Sequence, residues 1–124
     1  MADSNPYGST VLEHFRRPRN QGAMPGASAS AEGVNPLCGD RVRVALMLDA
    51  DGTITDARFV ANACAICVAS ASLLTEHIRG SPRDAAAALG DENVFALIGE
   101  PVPPARRRCA TLPLEALRRA LTGR

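Results

Sequence analysis

The chain has 124 residues and a mass of 13.0 kDa, 46% hydrophobic and 22% charged, a size that suits one compact domain with a real core. A net charge of +1, 3% aromatic residues and no Trp leave neither a positive field nor many rings for base stacking, so no nucleic-acid partner is expected. All fourteen basic residues are arginine, which excludes lysine Schiff-base and pyridoxal chemistry and the P-loop lysine.

The start, Met1 to Pro6, is polar and slightly acidic and lacks the pattern of a signal peptide. No apolar run reaches the roughly 18 residues of a membrane span. A cytoplasmic location with no membrane partner is the expectation, with residues 1–8 flexible ahead of a single domain spanning 1–124. Ser9 to Arg17 reads as a short amphipathic helix with Val11, Leu12 and Phe15 on one side, ended by Pro18. From Pro18 to Leu37 the chain turns to Gly, Ala, Ser, Pro and Asn, the composition of an extended, mobile loop. Val42, Val44, Leu46 and Leu48 then alternate along Arg41–Leu48. A turn at Asp49-Ala50-Asp51-Gly52 and a return over Thr53–Ala61 complete a hairpin with one apolar face.

From Ala65 the period changes to that of a small-residue-rich, buried helix stopping at Gly80. Ser81-Pro82 opens a second helix through Ala88 with Pro82 at its first position. Asp91–Ile98 gives a third, and Pro101-Val102-Pro103-Pro104 is a breaker. Leu112–Leu121 is a final amphipathic helix with Pro113 near its start. The class is α+β.

Four cysteines, Cys38, Cys64, Cys67 and Cys109, lie on three distant segments of a chain expected in a reducing compartment. Any one alone reads best as a small buried hydrophobe. As a set they do not, because Cys38 sits in a Gly-Asp turn and Cys109 follows Arg106, Arg107 and Arg108. Cys64 stands where strand hands over to helix, so orphan N–H groups and the helix dipole favour its thiolate. Cys38 and Asp40 flank Gly39 and can address one ion, with Cys109 approaching from the far side. Three thiolates and a carboxylate suit Zn²⁺ or iron, although Asp40 alone is equally well read as a turn residue. Cys64-Ala65-Ile66-Cys67 raises a rival, a C-x-x-C dithiol oxidoreductase. That rival leaves Cys38, Asp40 and Cys109 without a task, and Cys67 reads better as core. His14 and His77 read as solvated or capping residues rather than ligands. Ser70 and Ser72 read as packing residues with no histidine placed to activate them.

The segments Asn35-Pro36-Leu37-Cys38-Gly39-Asp40, Cys64 to Glu76 and Arg108-Cys109-Ala110-Thr111-Leu112 resemble the IscU/SufU/NifU N-terminal family of iron–sulfur cluster assembly proteins. Glu13-His14-Phe15, Pro18-Arg19-Asn20 and Gly22 resemble that family's opening, so the likeness covers nearly the whole chain. It implies a SufE/NifU-like fold, a small antiparallel sheet of about three strands packed with four to five helices. It also implies a scaffold taking sulfur from a cysteine desulfurase and iron from a donor. A labile [2Fe–2S] cluster would be built on Cys38, Asp40, Cys64 and Cys109 and passed to apo iron–sulfur proteins.

Two subtypes mix in this sequence. Arg108 stands where IscU-type members carry histidine, and the Arg-Cys-Ala-Thr-Leu run resembles SufU, whose tight zinc site uses three cysteines and the aspartate. The SufU-type insertion ahead of the last cysteine is missing. Ala63 replaces a usual glycine, and Cys67 is extra. Val102-Pro103-Pro104-Ala105-Arg106 occupies the place of a DnaK-type chaperone signal. The resemblance therefore carries a second function, a zinc-dependent sulfurtransferase with Zn²⁺ in the resting state. Cys109 in IscU-like members, or Cys38 in SufU-like ones, is the implied persulfide acceptor. The arginines beside Cys109 favour that residue. A monomer or a homodimer is compatible with either function.

Overall fold

The computed structural model describes residues 8–122, so nearly all of the stretch expected to be flexible lies outside the described residues. In chain order the elements are α1 (Ser9–Arg16), β1 (Ala29–Asn35), β2 (Asp40–Leu48), β3 (Ile54–Asn62), α2 (Ala65–Ile78), α3 (Arg83–Ala87), α4 (Asp91–Ile98) and α5 (Arg107–Thr122). A single 3₁₀ turn over Pro104–Arg106 leads into α5.

The strands form one antiparallel sheet in the order β1-β2-β3. The period-two pattern behaves as read: Val42, Val44 and Leu46 point into the core, and across from them Phe59 and Ala57 of β3 do the same. The turn between these strands is tied by Asp49, whose Oδ1 accepts from the amides of Asp51 and Thr53, both at 2.9 Å. Helix α5 lies on β1 and β2, α2 covers β3, and α1 and α4 pack on α2. All helices therefore share one face of the sheet, and the core between the layers gathers Ile66, Leu74, Leu112, Leu114 and Leu117. Burying such side chains is worth about 1.5 to 3 kcal/mol each.

Three readings need correction. The stretch Pro18–Leu37 is not loop throughout, because Ala29–Asn35 forms β1. Its sequence, Ala-Ser-Ala-Glu-Gly-Val-Asn, has little strand preference of its own. The strand exists through its partners, pairing with β2 from Ala29↔Leu46 to Asn35↔Asp40 and packing under α5. Gly33 permits that packing, since a Cβ there would stand 3.1 Å from the Leu112 carbonyl oxygen. The last helix starts five residues earlier than Leu112. Pro113 falls in its second turn, where it removes only the amide that would bond the Cys109 carbonyl. Finally, α1 turns a different face inward: Val11 and His14 are buried, while Phe15 is 44% exposed.

Among the described residues, no helix is long and apolar enough to cross a membrane.

Candidate metal centre

Three chain segments bring their cysteines to one end of the sheet. The first is the β1–β2 turn. Asn35 and Asp40 pair across it, and the Gly39 amide donates to the Asn35 carbonyl at 2.8 Å. The Asn35 side chain accepts from the Leu37 amide at 3.2 Å. Gly39, between Cys38 and Asp40, adopts φ 77°, a left-handed conformation that glycine takes without a Cβ penalty. The second is the N-terminus of α2, where Cys64 occupies the N-cap. The third is the first turn of α5, which carries Cys109.

The Cys38 and Cys109 sulfurs lie 4.0 Å apart. Together with a carboxylate oxygen of Asp40 they form a set of donor atoms all within 4.8 Å of one another. One Asp40 oxygen accepts from the Cys64 amide at 3.2 Å, a carboxylate placed on the positive end of α2. The other, Oδ2, is buried with no hydrogen-bond partner. A buried carboxylate oxygen left unpaired is costly, and a cation relieves it. Two thiolates bound to one tetrahedral ion by bonds of about 2.3 Å stand about 3.8 Å apart, close to the sulfur separation seen here. The donor set therefore fits a Zn²⁺ or iron ion. Cys64 lies outside the tight trio and adjoins it through its amide, which bonds Asp40.

Burial separates the thiols. Cys38 is exposed and Cys64 half-buried, whereas Cys109 is only 2% exposed and Cys67 fully buried. Cys109 is thus core, contrary to its reading from the arginines before it. Those arginines point outward, and Arg107 stacks over the Phe95 ring at 4.5 Å. Burial first, then the neighbouring Cys64 and the side chains of Asp40 and Cys38 beside it, push the Cys109 thiol up to about 12. The expectation that the arginines ease its ionisation does not hold. Burial also pushes the Cys67 thiol well above its ordinary range, with Asp40 and the other thiols adding to the effect. A C-x-x-C oxidoreductase needs two thiols that a disulfide can reach, and Cys67 is sealed.

The histidines are not ligands here, though His14 is far from solvated. Its Nδ1 lies 2.7 Å from the Ser72 hydroxyl, which also accepts from the Arg19 amide at 2.8 Å, pinning α1 and the Arg19 backbone to α2. A histidine is therefore placed on Ser72, but both groups are buried and no substrate reaches them. Burial, then the nearby Arg19, hold His14 below its ordinary value of 6.5. His77 is exposed, as read.

Two supporting contacts lie beyond what the sequence reading named, since it took Ser70 only as a packing residue and did not single out Glu100. Ser70 donates to the Ala110 carbonyl at 2.5 Å, fastening α2 to α5 one residue beyond Cys109. Glu100 accepts from the amides of Thr10 and Val11, both at 3.1 Å, and caps α1 from the segment that leads to Cys109. Neither has a local sequence signal, since each bond spans 40 or more residues.

The family described as NifU-like N terminal domain matches residues 6–123. The chain is 39% identical over 92% of its length to the bifunctional protein NifU/MnmA of Rubrobacter xylanophilus, of which it spans only 23%. It is 34% identical over 93% of its length to the zinc-dependent sulfurtransferase SufU of Bacillus subtilis, spanning 88% of that protein. To the iron–sulfur cluster assembly scaffold protein IscU of Aquifex aeolicus it is 34% identical over 93% of its length, spanning 73%. A SufU crystal structure from Fervidobacterium islandicum superposes with a TM-score of 0.77 at 26% identity, covering 93% of this chain and 96% of that one. With the match running nearly from end to end and the fold shared, the chain belongs to the NifU-like N-terminal domain family.

Proposed function

We propose that this chain is an iron–sulfur cluster assembly scaffold that receives sulfur from a cysteine desulfurase, combines it with iron on Cys38, Asp40, Cys64 and Cys109, and passes a [2Fe–2S] cluster to apo-proteins. The observation that carries the reading is the buried, partnerless Asp40 Oδ2 beside the Cys38 and Cys109 sulfurs. Three soft donors with one hard oxygen make a mixed set, weaker than four thiolates and suited to release. Cys38 is the favoured sulfur acceptor, because its thiol is exposed while that of Cys109 is buried. The stretch Val102–Arg106, exposed from Pro103 onward, belongs to the same reading as a chaperone contact.

A second reading is favoured by the 4.0 Å sulfur separation, which suits one ion. In it the chain is a zinc-dependent sulfurtransferase: Cys38 leaves the ion, takes a persulfide sulfur and hands it on.

Anaerobic reconstitution separates the two. Protein of known zinc and iron content is mixed with desulfurase, cysteine and ferrous iron, and visible absorption and labile sulfide are followed. Iron and sulfide rising together as zinc leaves supports the scaffold. Zinc held at about one per chain, with sulfur present only as persulfide, supports the sulfurtransferase. Asp40→Ala is expected to prolong the survival of a bound cluster against chelators, and an unchanged or shorter lifetime counts against the labile-ligand argument.

A further inference from the structure

The most exposed large hydrophobic side chain of the described residues stands next to the most exposed thiol. Leu37 is 90% exposed, at the tip of the four-residue turn that carries Cys38. The tip is not slack. Its Leu37 amide is held by the Asn35 side chain, its Gly39 amide by the Asn35 carbonyl, and the turn is closed by the Asn35↔Asp40 pair. With the backbone of the turn held, seating the leucine against another surface orders only its own side chain and buries its apolar area. On the opposite side of the two facing sulfurs, Cys109 is preceded by exposed arginines, ending with Arg108.

We infer that Leu37 is the docking anchor for the protein that delivers sulfur to Cys38, entering an apolar pocket with an acidic rim beside that protein's persulfide. This rests on the sulfur-accepting reading above and names the contact that would make it selective. With Leu37 seated, the Cys38 thiolate attacks the outer sulfur of the donor persulfide R–S–SH. The donor S–S bond breaks, Cys38–S–SH forms and R–S⁻ leaves, so the sulfane sulfur moves without any external oxidant or reductant. The arginine side of the site supplies charge complementarity to the rim.

The test measures the initial rate of persulfide formation on the full chain, by alkylation and mass spectrometry. A cysteine desulfurase turning over cysteine is the sulfur source, and the scaffold concentration is varied for the native chain, Leu37→Ala and Leu37→Asp. Glutathione persulfide serves as a small-molecule source in parallel, and zinc content and circular dichroism are checked for each variant. The expected result is a half-saturating concentration raised tenfold or more in Leu37→Asp and by less in Leu37→Ala. Loading from glutathione persulfide, zinc content and folding should stay unchanged. Raising the salt concentration should weaken loading of the native chain by the desulfurase.

Equal half-saturation for all three proteins overturns the anchor. So does an equal slowing from both sulfur sources, which would mean a disturbed Cys38 turn. A change in sedimentation of Leu37→Asp alone, with desulfurase loading unaffected, assigns the leucine to a second copy of this chain instead. If the native chain takes no sulfur from the desulfurase, the function proposed above fails and takes the anchor with it.

Discussion

The two halves of the centre are built in opposite ways. Cys38 hangs from a hairpin turn in which every residue from Pro36 to Gly39 is exposed. Cys109 and Cys67 sit on helices, buried among the leucines and isoleucines that hold the two layers together. Asp40 lies between, buried at the root of the turn and bonded to the N-cap amide ahead of α2. The helical half can keep its geometry while the turn meets a partner. On the function proposed above, a centre that both holds a metal ion and exchanges sulfur would use one ligand of each kind.

That contrast can be broken by mutation, and the largest effect belongs to the helical half. Leu112→Ala, in the core beneath β1, should cost about 2 to 5 kcal/mol in denaturant unfolding. Leu37→Ala, at the exposed tip, should stay within about 0.5 kcal/mol of the native chain. Gly33→Ala comes next. It forces a methyl toward the Leu112 carbonyl at the β1–α5 contact, an overpacking that costs about 1 to 3 kcal/mol. Because α5 carries Cys109, zinc affinity should fall with it, which a competition titration against a chromogenic chelator would measure.

Ser70→Ala sharpens the comparison by removing one bond between α2 and α5 beside Cys109. A stability loss of about 1 kcal/mol is expected from thermal unfolding of the zinc-free protein. The smallest effect lies far from the turn. His14 is held below 6.5 in the folded chain by burial and then by Arg19, so the unfolded chain takes up its proton first as pH falls. The stability this contact contributes is present above the ordinary histidine value and is lost progressively below it. Urea midpoints measured from pH 8 to pH 5 should fall in that direction, and His14→Gln should flatten the part of the slope that histidine supplies.

Much of this was legible in the sequence for physical reasons. The β2–β3 hairpin declared itself through alternation, because one face of those strands is buried and the other is open. Helix α2 declared itself through a run of small and apolar residues ended by glycine. The ligand candidates came from their motifs, and the structure brings Cys38, Asp40 and Cys109 into one set, with Cys64 adjoining it. What could not be read were features supplied by distant parts of the chain. Strand β1 depends on β2 and α5 for its existence. His14 is buried because Ser72 waits on another helix, and Cys109 turns inward although three arginines precede it. Charge in the neighbouring sequence gave the wrong polarity for that thiol, because helix geometry sends adjacent residues to different faces.

The cross-strand pair Asn35↔Asp40 ends the β1–β2 ladder at the metal centre. The same residue that would offer an oxygen to an ion is therefore the last rung holding an edge strand with little propensity of its own. Occupancy of the centre then becomes a fastener for that strand, and the backbone amides of residues 29–35 act as its gauge. Their exchange with deuterated solvent should slow when zinc is bound and quicken when Cys38 is withdrawn by a partner, reporting the loading state from a segment most of which never touches the ion.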